Sequence, residues 1–127
     1  MIWVDKAKKF LTAICAKDLD IMSDLFADDV HFRSWACDVK GKDTAILANK
    51  THLDLVYETK IKIHNTAYKD KYIVIECELT HSYIYNVADV FDSVPREEGT
   101  VTSTDLVYII EFNTSGKIKA LRSYKLK

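Results

Sequence analysis

Apolar side chains fall at Trp3, Ala7, Phe10, Leu11 and Ile14, three or four residues apart, with Asp5, Lys6, Lys8 and Lys9 between them. That spacing predicts an amphipathic helix over Trp3–Ala16. Asp18 carries the side chain of an N-cap, and Leu19, Met22, Leu25 and Phe26 continue as a second, shorter helix, with a bend near Lys17 and Asp18. Ala27, Asp28 and Asp29 break it. Val30, Phe32 and Ser34 then alternate with His31, Arg33 and Trp35, the period of a strand. Cys37–Lys42 reads as a loop in which Gly41 permits a turn closed to other residues. Asp43 or Thr44 caps a third helix, whose apolar contacts are Ile46, Ala48, Leu53 and Val56.

Past that helix the period changes to two. Thr59, Ile61 and Ile63 alternate with Lys60, Lys62 and His64, and Ala67–Lys71 reads as a polar turn. Ile73, Ile75, Cys77, Leu79, His81 and Tyr83 share one face of a long strand, and Tyr72, Val74, Glu76, Glu78, Thr80 and Ser82 share the other. In a second long strand, Val101–Phe112, Thr104, Leu106, Tyr108, Ile110 and Phe112 lie on one face, and Asp105, Val107, Ile109 and Glu111 on the other. Asn113–Gly116 is a hairpin turn, and Lys117–Leu126 the final strand. Asn86–Thr100 is long for a hairpin connection; a lid, a strand extension and part of a dimer seam are all open readings of it. Helices first, then antiparallel strands amphipathic in period two, predict an α+β fold: a curved, mostly antiparallel sheet wrapped around about three helices from the N-terminal half, with a cone-shaped cavity between them.

The length, 127 residues, fits one domain spanning 1–127. With 48% hydrophobic and 29% charged residues the chain can build a core unaided. Eighteen basic against nineteen acidic residues argue against nucleic-acid and anionic-membrane partners, which call for a basic surplus. Charges interrupt the first ten residues, as no signal peptide allows, and no apolar run is long enough to span a bilayer. Cys15, Cys37 and Cys77 are odd in number and widely spaced, which fits a reducing, cytoplasmic setting rather than a disulfide framework.

The run Phe10–Phe32, with its Lys17-Asp18-Leu19 step and its Leu25-Phe26-Ala27-Asp28-Asp29-Val30 segment before the first strand, resembles the opening of SnoaL-like proteins of the nuclear transport factor 2-like superfamily. Gly41–Ile46 is similar to the family's approach to its third helix, and Phe112–Ile118 to its last hairpin. The likeness covers nearly the whole chain. It implies a cone-like α+β barrel, a homodimer formed through the outer sheet face, and a small apolar ligand in the cone. The family's functions range from isomerases, polyketide cyclases, dehydratases and epoxide hydrolases to non-catalytic association domains, so the fold fixes no chemistry. Ketosteroid isomerases of this superfamily use a tyrosine on the first helix, an aspartate base after the first strand and a protonated aspartic acid on a late strand. By the matched motifs those positions fall on Phe10, Ser34 and Tyr108. Phe10 has no hydroxyl, Ser34 is no base without an activating partner, and Tyr108 alone keeps a hydrogen-bond donor, so isomerase chemistry in that form is not retained.

Two classes of function follow. In the first, the cone binds a small, largely apolar molecule and supports proton transfer, with His81 as acid or base and Tyr108 as donor to a developing oxyanion. Ser34, Trp35, Tyr83 and Tyr124 are the further ligand-binding candidates. Trp35 either shapes the mouth or packs on the third helix or across a dimer, and Tyr124 either reaches the cavity or stays in the core. Asp105 points outward if Tyr108 points inward. In the second class the protein is a non-catalytic association module working through its outer sheet face. No cofactor is expected: there is no Gly-rich phosphate loop and no Gly-x-Ser-x-Gly elbow. No metal is expected either, because His31, His52 and His64 sit on separate elements and read as surface histidines.

Overall fold

The structure, a computed structural model, describes residues 2–83, 87–88, 95–96 and 101–126. Helix α1 (Ile2–Ala16) buries Ala7, Phe10, Leu11, Ala13 and Ile14, the face that the spacing predicts. It ends because Lys17 turns into the left-handed region (φ 55°) and the Asp18 N–H returns to the Ala13 carbonyl at 2.9 Å, while the Lys17 N–H reaches Ile14 at 3.1 Å. Asp18 then opens α2 (Leu19–Leu25), its carboxylate accepting from the Ile21 N–H at 3.1 Å. Helix α3 (Lys42–Leu53) starts one residue before the expected caps, and Gly41 at φ 97° occupies the cap position without a side-chain bond.

Strand β1 (Phe26–Arg33) begins four residues before the expected Val30 and stops two before Trp35. Ala27–Asp29 is not a break but an irregular stretch inside the strand, where its register with β8 shifts between Phe26 and His31. Asp28 and Asp29 stay in water while Phe26, Ala27 and Val30 are buried. Within the expected loop Cys37–Lys42 a short strand, β2 (Asp38–Lys40), pairs back on β1. Strand β3 (Val56–Lys69) takes up Val56 and all but two residues of the expected turn at Ala67–Lys71: the chain reverses at Asp70 and Lys71, with Asp70 at φ 54°. Strands β4 (Tyr72–Tyr83), β7 (Val101–Phe112) and β8 (Ile118–Lys125) follow as expected. Between β4 and β7, β5 (Val87–Ala88) pairs with β6 (Pro95–Arg96). The rest of 86–100, and with it the choice among lid, extension and seam, lies outside the described residues.

Six strands form one curved sheet in the order β2-β1-β8-β7-β4-β3, antiparallel except for the parallel pair β1–β8. The sheet does not close; β2 and β3 are its edges, and the helices complete the cone. On β4 every second residue from Ile73 to Tyr83 is buried, and on β7 the same holds from Leu106 to Phe112. Phe10 is fully buried and joins the layers, with ring centroids 5.6 Å from Phe26 and 6.4 Å from Tyr108. In the turn between β7 and β8, the Asn113 side-chain oxygen accepts from the Ser115 and Lys117 N–H groups, and Gly116 sits at φ 82° against Trp3 and Lys6.

Candidate active site

The inner sheet face, α1, α3 and the β1–β2 turn enclose a cavity of about 380 Å³, within the range of small-molecule sites. Phe10 and Ile14 of α1, Leu79 and Tyr108 of the sheet, and Phe32 and Leu53 line it with buried side chains. Trp35 (40% exposed) and Leu47 (62% exposed) stand at its mouth. Among the described residues that line it there is no Asp, Glu, Lys or Arg.

His81 sits on the inner face of β4, 6% exposed. Its cross-strand partner on β3 is Thr59, also buried, whose Oγ1 lies 3.0 Å from His81 Nδ1. Its Nε2 lies 3.2 Å from Nε2 of His52, on the last turn of α3, with the two rings edge to face at 4.8 Å. One N–H can occupy the line between two Nε2 atoms, so one imidazole donates and the other accepts. Either choice leaves Thr59 a complementary role at Nδ1, since its hydroxyl both donates and accepts. Burial, and then the neighbouring His52, push the His81 pKa down to about 4. The ring is therefore neutral near pH 7.

Tyr108 stands beside Ser123 across the β7–β8 pair, both buried and both on the cavity lining. The Tyr108 hydroxyl makes no hydrogen bond among the described residues. Burial raises its pKa far above the ordinary phenol value, so it stays a protonated donor. Phe10, Ser34 and Tyr108, the three positions matched to isomerase residues, meet on this one cavity. The Ser34 hydroxyl is engaged in the turn: it accepts from the N–H groups of Ala36 and Cys37 at 3.1 and 3.3 Å. Its part is to fix the wall that presents Trp35. The Trp35 ring also carries the Lys125 ammonium at 4.7 Å.

Two of the expected ligand-binding residues do not line the cavity. Tyr83 is buried with its ring 6.3 Å from His81 and is not among the lining residues. Tyr124 is half-exposed on the outer face, because Ser123 takes the inward position of β8 and the next residue must point the other way. Asp105 points outward as expected, 3.9 Å from His64. His52 is not the surface histidine that its sequence setting suggests but joins the cavity. Thr59 and Ser123 are site residues that sequence reasoning misses. Thr59 has a signal: it alternates in phase with Ile61. His52 has none. Among the described residues, no three His, Cys, Asp or Glu side chains stand together as a metal site.

The sequence matches the family model of the SnoaL-like domain over residues 7–121. No curated protein matches it in sequence. Among solved structures, a protein described as a SnoaL-like polyketide cyclase from Jannaschia sp. CCS1 is 16% identical with TM-score 0.80, over 98% of this chain and 85% of that one. An epoxide hydrolase of the LEH-like type from Mycobacterium tuberculosis is 14% identical with TM-score 0.76, over 97% and 81%. A Catenulispora acidiphila protein with a ketosteroid isomerase-like fold, in complex with trimethylamine, is 11% identical with TM-score 0.75, over 94% and 83%. At such identities these neighbours speak for the fold alone.

Proposed function

That the chain belongs to the SnoaL-like domain family is the premise from which we propose that it binds a small, largely apolar molecule in the cavity and moves a proton on it. The observation that carries this reading is the His81–His52 pair, 3.2 Å apart in a cavity whose described lining residues include no Asp, Glu, Lys or Arg. The two Nε2 atoms share one N–H and one lone pair, so a ligand that enters between the rings, in place of their mutual hydrogen bond, meets one group that takes a proton and one that gives it. A ring with so low a pKa keeps a proton only briefly, which suits a step that removes a proton from one atom and returns it to another. Isomerisation, cyclisation and dehydration share that step. Tyr108 donates to the oxygen on which negative charge develops. Thr59 positions His81, and Trp35 covers the ligand at the mouth. That structural neighbours bear the names of a cyclase and an epoxide hydrolase, and that one holds trimethylamine, agrees with a ligand-holding cone.

The test is hydrogen–deuterium exchange next to the carbonyl of 2-tetralone, followed by NMR. Exchange should exceed the buffer rate, and His81→Ala should lower it on the order of a hundredfold. Exchange at the buffer rate, or unchanged in His81→Ala, would overturn the reading. A second reading, association through the outer sheet face, is favoured by Val74, Val107 and Ile109, half-buried there beside the exposed Tyr72 and Tyr124. It is compatible with the first: two copies pair on this face, and sedimentation at micromolar concentration should find a dimer. The chain forms one domain over 1–127, in a reducing cytoplasm where Cys15, Cys37 and Cys77 stay thiols. No helix among the described residues is long and apolar enough to cross a membrane.

A further inference from the structure

We infer that Lys125 and Trp35 form a latched gate at the cavity mouth: the Lys125 ammonium holds the indole across the opening, and the indole swings aside to admit or release the ligand. This rests on the ligand-binding reading above and adds to it a control on entry and exit.

Exposure along the lining locates the gate. Trp35, Thr44, Leu47 and Thr51 are the exposed lining residues, so the opening lies between the β1–β2 turn and α3. Trp35 has the bulkiest side chain of the four, and the position of its ring sets how wide that opening stands.

The moving part is the side chain and not the backbone. The turn is tied: the Ser34 N–H donates to the Cys37 carbonyl at 2.8 Å, and the Ser34 hydroxyl accepts from the N–H groups of Ala36 and Cys37. Directly after it, β2 pairs back on β1. What remains to Trp35 is rotation about its side-chain bonds, which is fast in an exposed residue unless something holds the ring.

Lys125 is placed to hold it. Strands β1 and β8 run parallel with Arg33 level with Arg122, so the turn after β1 and the end of β8 emerge at the same edge of the sheet. Leu121 and Ser123 are buried on the inner face of β8, and alternation makes Lys125 the next inward position. The apolar alternation thus ends in an exposed cation. Its backbone is fixed by pairing with Leu106 and by the Leu126 N–H, which donates to the Asp105 carbonyl at 2.8 Å. From that root the ammonium stands over the Trp35 ring, 4.7 Å from its centroid. A cation over an aromatic face at an exposed site favours the held state about two- to fivefold. That slows passage without shutting the cavity.

The test has two arms, both on the full chain at about pH 7. Without ligand, proton NMR should find the Lys125 ε-methylene shifted upfield by the indole ring current, and Trp35→Leu should return it to the ordinary lysine position. With 2-tetralone, stopped-flow binding should show association and dissociation both about two- to fivefold faster in Lys125→Met, with Kd within about twofold, and Lys125→Arg should keep the wild-type rates. No ring-current shift, or unchanged rates in Lys125→Met, overturns the latch and leaves the ligand-binding reading standing. A changed Kd with an unchanged association rate also overturns it, because Lys125 would then be a contact of the ligand and not a gate. No binding of 2-tetralone overturns both.

Discussion

Lowering the pH from about 7 to about 4 should cost this protein roughly 3 kcal/mol of stability through His81 alone. In the unfolded chain the ring takes a proton near its ordinary value of 6.5; in the fold it resists until about 4. Between those values the unfolded state binds more protons, so stability falls as pH falls. Above the upper value both states are neutral, and below the lower one both are protonated, so the dependence vanishes on each side. A difference of about 2.5 pH units corresponds to about 3 kcal/mol at 1.36 kcal/mol per unit. The ring is only 6% exposed, so solvent screening takes little from that figure. For a chain of this size it is a large part of the total and equals a fall in Tm of about 10 °C.

The assay is urea unfolding, read by tryptophan fluorescence, of the wild type and His81→Gln across this pH range. Carboxylates that titrate near the acidic end act on both proteins and cancel in the difference. The wild-type advantage over His81→Gln should therefore shrink by about 3 kcal/mol between the two pKa values and then level. A difference that stays flat, or a His81 ring-proton NMR midpoint near 6.5, would refute the burial argument.

Thr59→Val removes the hydroxyl at His81 Nδ1 and leaves a buried ring nitrogen without its partner, which should cost about 1–3 kcal/mol by urea unfolding. As a positioning residue it should lower kcat with KM little changed, and move the His81 NMR midpoint. Gly116→Ala forces a side chain onto a left-handed residue and sets its Cβ 2.8 Å from the Lys6 ammonium. The ammonium can move but the backbone cannot, so a loss of about 1–2 kcal/mol is expected, and an unchanged urea midpoint would contradict it. Asp18→Ala removes the cap of α2 and should cost about 1 kcal/mol in thermal unfolding, most of it recovered in Asp18→Asn.

The elements legible in the sequence are those whose partners are local or whose pattern is long. Helix α1 shows its dry face in five side chains, and Asp18 is recognisable as a cap because the bond it makes is three residues away. Strands β4 and β7 each alternate over twelve residues, long enough for the alternation alone to assign the buried face. The turn at Ala67–Lys71 is misplaced by pattern reading because β3 and β4 stay paired to Lys69 and Tyr72. Pairing with a neighbour supplies backbone bonds that polar composition does not reveal. Strand β1 is cut short because Asp28 and Asp29 look like breakers, whereas the strand passes through them as an irregular stretch between its Phe26–Ile118 and His31–Ala120 pairs with β8.

The site divides along the same line. His81 and Tyr108 are legible because each continues an apolar alternation, and the alternation fixes which way a side chain points. Tyr124 is misassigned because β8 is short and its alternation is carried by Ser123, a polar residue that pattern reading discounts. His52 and Thr59 act through His81 from 29 and 22 residues away. Thr59 needs the β3–β4 register, and His52 needs the angle at which α3 crosses the sheet. No spacing along the chain encodes that angle. A single inward histidine on β4 is ordinary for a protein core. What makes it a candidate for proton transfer is that α3 ends with a second imidazole against it, in a cavity where, among the described lining residues, the pair are the groups most able to move a proton.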